Sequence, residues 1–292
     1  MPELTPETIL ARAQAPAVNG RPVRKDEIEL PDRGLYIESW LPERRSRRKP
    51  LLLVHGELGG SWVWERYLGY FAGRGWEGHA LNLRNHYWSQ TARPEELSFE
   101  SYAEDVGAAM DRLGPSVVAI GHGMGGLLVM KAAERHPIAA LVLVASELPR
   151  QLRPPSPPHE IRDVPDVYGR SLLGWEILPE WLQRDHRDLT LDDIRRIQHL
   201  LGQKPHESGR ARRAMLRGVS VDPGAYAAVP KLVIAGGLDR AVDLDASERL
   251  ATWLDAQFEP FGAHSAYGLV LGEQSFGQVA DSIKGFLEMH RL

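Results

Sequence analysis

The chain alternates between short unbroken apolar runs and longer segments in which apolar positions recur every three or four residues. Leu51–Val54, Val117–Ile120, Leu141–Ala145 and Leu232–Ala235 are the runs. Their length and their glycine, proline or polar boundaries predict strands buried on both faces. Trp76–Leu83 predicts a further strand. Between them the spacing predicts helices over Ser61–Gly73, over Leu97–Leu113 with Ser98 or Ser101 as its cap, from the glycines after Ile120 to about His136, and near Ala246–Leu254. Upstream, Lys25–Leu30 and Leu35–Leu41 alternate as two strands of a hairpin turning at Pro31–Gly34. Downstream, an edge strand over Gln257–Phe261 and a closing helix over Gln274–Met289 complete the pattern. Strands alternating with helices at this spacing predict an α/β fold, a mostly parallel, doubly wound sheet covered on both faces.

The rhythm breaks after Glu147, where Pro149, Pro154, Pro155, Pro157, Pro158 and Pro165 crowd together, and resumes only at Leu232. The intervening segment is polar and helical, with its clearest helix at Leu191–Leu201. It predicts a helical cap inserted over 148–219 into a core made of 23–147 and 220–292, preceded by an N-terminal arm over 1–22. The insertion carries Tyr168, Trp175 and Trp181, and its tryptophans either line an apolar pocket or hold the insertion onto the core.

Composition narrows the function classes. In 292 residues, 43% hydrophobic and 25% charged positions suit a globular domain with a sizeable core. A net charge of −4 gives no electrostatic reason to expect nucleic-acid binding, and the basic cluster Arg44–Lys49 reads as an exposed loop. Cysteine is absent, which excludes thiolate catalysis, disulfides and zinc–thiolate sites. Glu3, Glu7, Asp26 and Glu27 interrupt the first thirty residues, unlike a signal peptide, and Ile138–Ala145 is too short to span a membrane, so a cytoplasmic protein with no membrane contact is the expectation. Asp185, His186 and Asp188 lack a second histidine at ligand spacing, so no metal is expected. No cofactor is expected either.

The chemistry centres on Ser116–Leu128, where the strand ends in Gly121, Gly123, Gly125 and Gly126 before a helix begins. This strand, sharp turn and helix resemble the nucleophile elbow of the α/β-hydrolase family, where G-x-S-x-G lifts a serine above the sheet. Here the nucleophile position is Gly123. Three further places resemble the family in the same order. His55-Gly56 is similar to its H-G motif, which implies that the backbone N–H of Glu57 and that of Met124 form an oxyanion hole. Val233–Asp243 is similar to the acid-bearing loop, which implies Asp239 as the acid. Phe261–Ser265 is similar to the histidine loop, which implies His264 as the base. In a working triad Asp239 orients His264 while His264 takes the serine proton, but Gly123 offers no proton to take. Glycine relieves the strain of the elbow, so the turn and its N–H groups survive the loss of covalent chemistry. Where the family has G-H-G-x-S after the following strand, this chain has Asn85-His86-Tyr87-Trp88-Ser89, with both glycines replaced by larger residues.

Substitute hydroxyls at Ser61, Ser89 and Ser146 sit near strand ends, where a helix cap or loop role is the simpler reading. His122 reads as packing beneath the elbow, His86 as a loop histidine bonded to backbone, Asp243 and Asp245 as helix caps, and Glu147 as an alternative acid. The expectation is a hydrolase-like protein with an Asp239–His264 dyad and no serine, acting on or binding a small apolar, ester-like molecule in a capped pocket. Two alternatives stand beside it. One is a catalytically inactive protein binding a ligand or partner in the same pocket. The other is a nucleotide-binding protein, because Gly121, Gly123 and Gly126 also spell G-x-G-x-x-G with Glu147 beyond the next strand.

Overall fold

The computed structural model describes residues 23–292 apart from 45, 204 and 205; the arm expected over 1–22 lies outside the described residues. In chain order the strands are β1 (Val23–Leu30), β2 (Leu35–Pro42), β3 (Leu51–Val54), β4 (Gly78–Asn82), β5 (Val118–His122), β6 (Ala140–Val144), β7 (Val167–Tyr168), β8 (Glu207–Ser208), β9 (Lys231–Gly236) and β10 (Gln257–Phe261). The helices are α1 (Glu65–Ala72), α2 (Phe99–Leu113), α3 (Met124–Ala133), α4 (Pro158–Arg162), α5 (Pro179–Asp185), α6 (Leu191–Leu201), α7 (Gly209–Arg217), α8 (Leu244–Leu254), α9 (Ala266–Leu271) and α10 (Phe276–Met289).

Eight strands form one sheet in the order β1-β2-β4-β3-β5-β6-β9-β10, antiparallel at β1-β2 and β2-β4 and parallel everywhere else. The two-residue side-chain period of a strand divides each buried run between two helical layers. Leu51 and Leu53 face the layer of α1, α9 and α10, whereas Leu52 and Val54 face that of α2, α3 and α8. Ile120 and Val142 join the first set, and Ala119, Leu141 and Leu143 the second. All nine are fully buried. Each large side chain so placed stabilises the fold by about 1.5–3 kcal/mol relative to exposure, which explains why these runs lack polar residues.

Local signals fix the helix ends. Ser98 and Ser101 form a reciprocal capping box at the start of α2, and Thr190 and Asp193 form another at α6. The expected helix over Ser61–Gly73 begins as a tighter 3-10 turn, Ser61–Trp64, before α1. The six-residue α9, unanticipated in the pattern, is too short to display a helical period.

The insertion lies between β6 and β9 and carries α4 to α7 with the small ribbon β7-β8. Its last helix, α7, packs on α2 of the core, and Arg150 N–H donates to Val219 O (2.8 Å), tying the two ends of the insertion together. No helix among the described residues is long and apolar enough to cross a membrane.

Candidate functional site

The elbow forms at the carboxyl end of β5. Gly123 adopts φ 55°, ψ −123°, a conformation that strains any residue with a side chain, and α3 starts immediately after it. The turn is pinned on both sides: Gly123 N–H donates to Val144 O (3.3 Å) and Ala145 O (3.2 Å), while its carbonyl accepts from Gly126 N (3.0 Å) and Glu147 N (3.1 Å). The neighbouring glycines serve packing. A Cβ on Gly121 would collide with the backbone of Gly125, and one on Gly125 with the carbonyls of Val54 and His55.

A cavity of about 410 Å³ opens in front of Gly123. Glu57 and Met124 line it, and among the described residues the backbone N–H of neither donates to another protein group. The Glu57 side chain turns toward the insertion. Its Oε1 accepts from Arg212 (2.7 Å) and from the Tyr168 hydroxyl. Burial pushes the Glu57 carboxyl up, and the Arg212 charge and the two hydrogen bonds pull it back. Tyr168 therefore holds the insertion to the core, and Trp175 lines the cavity, whereas Trp181 is 59% exposed and does neither.

Asp239 also lines the cavity. Its Oδ1 accepts from the N–H groups of Ala241 (2.8 Å) and Val242 (3.3 Å), and burial raises its pKa to about 6. The expected dyad is not assembled. His264 does not line the cavity, its ring packs on Phe261 with centroids 5.7 Å apart, and both ring nitrogens are buried without a hydrogen-bond partner among the described residues. The backbone explains the placement. His264 N–H donates to Phe261 O (3.1 Å) and its carbonyl accepts from Leu238 N–H (2.9 Å), fixing the loop after β10, while Asp239 spends its Oδ1 on its own loop.

The other histidines divide clearly. His55 Nδ1–H donates to Gly56 O (2.7 Å) and Nε2 accepts from Leu83 N–H (3.3 Å); burial lowers its pKa to about 3. His122 packs under the elbow, donating from Nε2 to Ala266 O (3.1 Å), with a pKa lowered to about 4 by burial. His86 is bonded to backbone through Nδ1 and Arg84 O (2.9 Å), and its Nε2 also meets the carboxylate of Glu207 (2.7 Å). Glu207 belongs to the insertion and is completely buried. It also accepts from the Leu58 N–H (3.0 Å) and the Tyr102 hydroxyl (2.6 Å). No sequence signal marks it, since its partner Leu58 lies 149 residues away. His186 of the insertion lines the cavity, stacked on Trp175 at 4.8 Å; its spacing to any other cavity residue is equally uninformative.

Asn85 and Tyr87, at the places where the resemblance expects glycine, hold φ 64° and φ 40°. The backbone keeps the left-handed turn, and Asn85 helps hold it by accepting from Ala92 N–H (3.2 Å). The three alternative hydroxyls do not line the cavity. Ser61 donates to Glu38 (2.6 Å), Ser89 to Asn82 O (2.5 Å) and Ser146 to Glu147 O (2.9 Å). Asp243 caps α8 through Ala246 N–H (2.7 Å). The nucleotide reading fails on topology, because this strand order, with antiparallel β2, is not that of a dinucleotide-binding fold. Glu147, its ribose ligand, is paired instead with Arg153 (2.5 Å).

Comparison with known proteins agrees with this architecture. Residues 49–177 match the family model described as alpha/beta hydrolase fold. Over 110 residues the chain is 36% identical to esterase PIR7B of Oryza sativa subsp. japonica, a match spanning 36% of this chain and 41% of that protein. It is 24% identical over 221 residues to methylesterase 7 of Arabidopsis thaliana, covering 69% and 82% of the two chains. A thermophilic esterase from Thermogutta terrifontis superposes with a TM-score of 0.67 at 19% identity, covering 92% of this chain and all of that one.

Proposed function

The chain belongs to the α/β-hydrolase fold superfamily, and from that premise we propose that it binds a small, largely apolar, ester-like molecule under its helical cap without forming an acyl-enzyme. The observation that carries this reading is the pairing of Gly123 at the elbow with a His264 ring that lies outside the cavity. Neither a nucleophile nor the base that would activate one reaches the ligand. What remains suits recognition. Trp62, Trp175, Leu182 and Tyr267 offer an apolar wall, and the N–H groups of Glu57 and Met124 are available to donate to a carbonyl oxygen. The related esterases support a ligand with an acyl carbonyl. The cap, residues 148–219, closes the cavity and sets which molecule fits.

A second reading rests on Asp239, a carboxylate kept in the cavity although burial raises its pKa to about 6. If the His264 ring swings from Phe261 toward Asp239, the pair becomes a general base for water, and hydrolysis proceeds without a serine.

Turnover of a panel of short and medium acyl esters by the protein, Gly123→Ser and His264→Ala separates the two. The binding reading expects no turnover that depends on His264 and no acyl burst from Gly123→Ser. It also expects thermal stabilisation by a non-hydrolysable ester analogue. Turnover that disappears in His264→Ala overturns it in favour of the water-activating dyad.

A further inference from the structure

His186 is the second imidazole at the cavity besides His122, and the two differ in what their nitrogens do. His122 Nε2 is spent on Ala266 O. Among the described residues neither ring nitrogen of His186 has a hydrogen-bond partner. Its Nδ1 is buried without a partner, while Nε2 is not among the buried unpartnered atoms, which leaves it as the accessible nitrogen of a ring that lines the cavity. The ring cannot turn freely, for it lies nearly parallel to Trp175 (centroids 4.8 Å apart, 23° between planes) and edge-on to Tyr267 (6.1 Å).

Asp188, two residues on, presents the complementary feature. Its Oδ2 accepts from Ser265 N–H (2.7 Å) and Ser265 Oγ (3.1 Å) at the start of α9, whereas its Oδ1 is buried without a partner. A buried acceptor and a buried ring nitrogen, both unsatisfied, are costly features for a folded chain to retain. Three charged groups act on the ring. Asp188 and Asp185 favour a proton on it, Arg240 opposes one, and Asp185 is itself paired with Arg240 (2.6 Å). Burial outweighs them and keeps the imidazole neutral, with one nitrogen protonated and the other bare.

We propose that His186 is the polar recognition group of the pocket, with its proton on the buried Nδ1 and its bare Nε2 accepting a hydrogen bond from the ligand. The ligand class follows: a small molecule with a flat or slender apolar body, lying against Trp175 and Tyr267, and a neutral donor such as a hydroxyl or amide N–H. An acceptor-only ester fills the apolar space and leaves Nε2 unmet. This assignment rests on the pocket being a small-molecule site, and it adds which functional group the ligand carries.

Phenol and toluene match in shape and differ in one donor, so they test it. Titration of each into the protein and into His186→Phe, followed by NMR with labelled histidine rings, gives both affinity and tautomer. Phenol is expected to bind the protein about tenfold more tightly than toluene, the size of one net hydrogen bond, and to lose that advantage in His186→Phe, where the ring stacking persists. The 15N shifts are expected to report a protonated Nδ1 and a bare Nε2 that moves when phenol is added. Equal affinities for both probes, or a proton on Nε2, overturn the role of His186 and leave the pocket reading standing. Failure of both probes to bind the correctly folded protein overturns the two together.

Discussion

A Cβ on residue 123 would lie 3.8 Å from the Cα of Gly56, at ordinary van der Waals distance, with no other atom beyond its chain neighbours within 4 Å. Space for a serine therefore persists at the elbow, and only the dihedral angles of Gly123 oppose one. Gly123→Ser is expected to fold with a loss of about 1–3 kcal/mol. Gly125→Ala, whose added methyl meets the carbonyls of Val54 and His55, is expected to lose more than about 4 kcal/mol or to fail to fold. Urea denaturation of the pair checks the contrast.

Glu207 sets the acid sensitivity of the molecule. Burial alone would raise its pKa. The charge of His86 and the hydrogen bonds from His86, Leu58 and Tyr102 outweigh burial and hold it at about 2. An unfolded glutamate titrates near 4.3, about two units higher, so between these values the unfolded chain binds more protons. The stabilisation is complete above about pH 4.5 and is lost as the pH falls through 2. Glu207→Gln is expected to lose about 3 kcal/mol at pH 7 and to flatten the dependence of Tm on pH below 4.5.

Asp239 behaves in the opposite sense. Its folded pKa, about 6, stands above an unfolded value of about 3.9. The folded chain then holds the extra proton in that interval, and a penalty grows from about pH 4 and is complete above 6. Asn at this position still accepts from Ala241 and Val242. Asp239→Asn is expected to stabilise the protein by about 1–3 kcal/mol at pH 7.5 and to leave it unchanged at pH 4, read from Tm at the two values.

Sheet and helices were largely legible because each depends on neighbours along the chain. The run Leu51–Val54 and the helix Leu191–Leu201 occupy the residues their patterns imply, and Ser98 with Ser101 caps α2 as its spacing suggests. The site was legible only in its backbone. The glycines of the elbow and the turn at Asn85 and Tyr87 could be placed from motif spacing, because φ and close packing constrain residue type locally. Side-chain aim was not. Whether His264 faces Asp239 or Phe261, and whether a histidine 63 residues beyond the elbow lines the same cavity, depend on contacts between segments that the chain order does not report.

The carboxylate of Glu207 enters the body of the molecule from a segment that, by sequence, looks like an accessory. Its four acceptor contacts join the loop after β3, the turn after β4, the helix α2 and its own backbone at Ser208. The insertion is therefore not a detachable module. Removing it, or exchanging it for a segment without a carboxylate at this place, would leave His86 and Tyr102 facing an empty socket. New specificities in this scaffold are more accessible through single residues on the inner wall of the insertion than through grafting the whole segment.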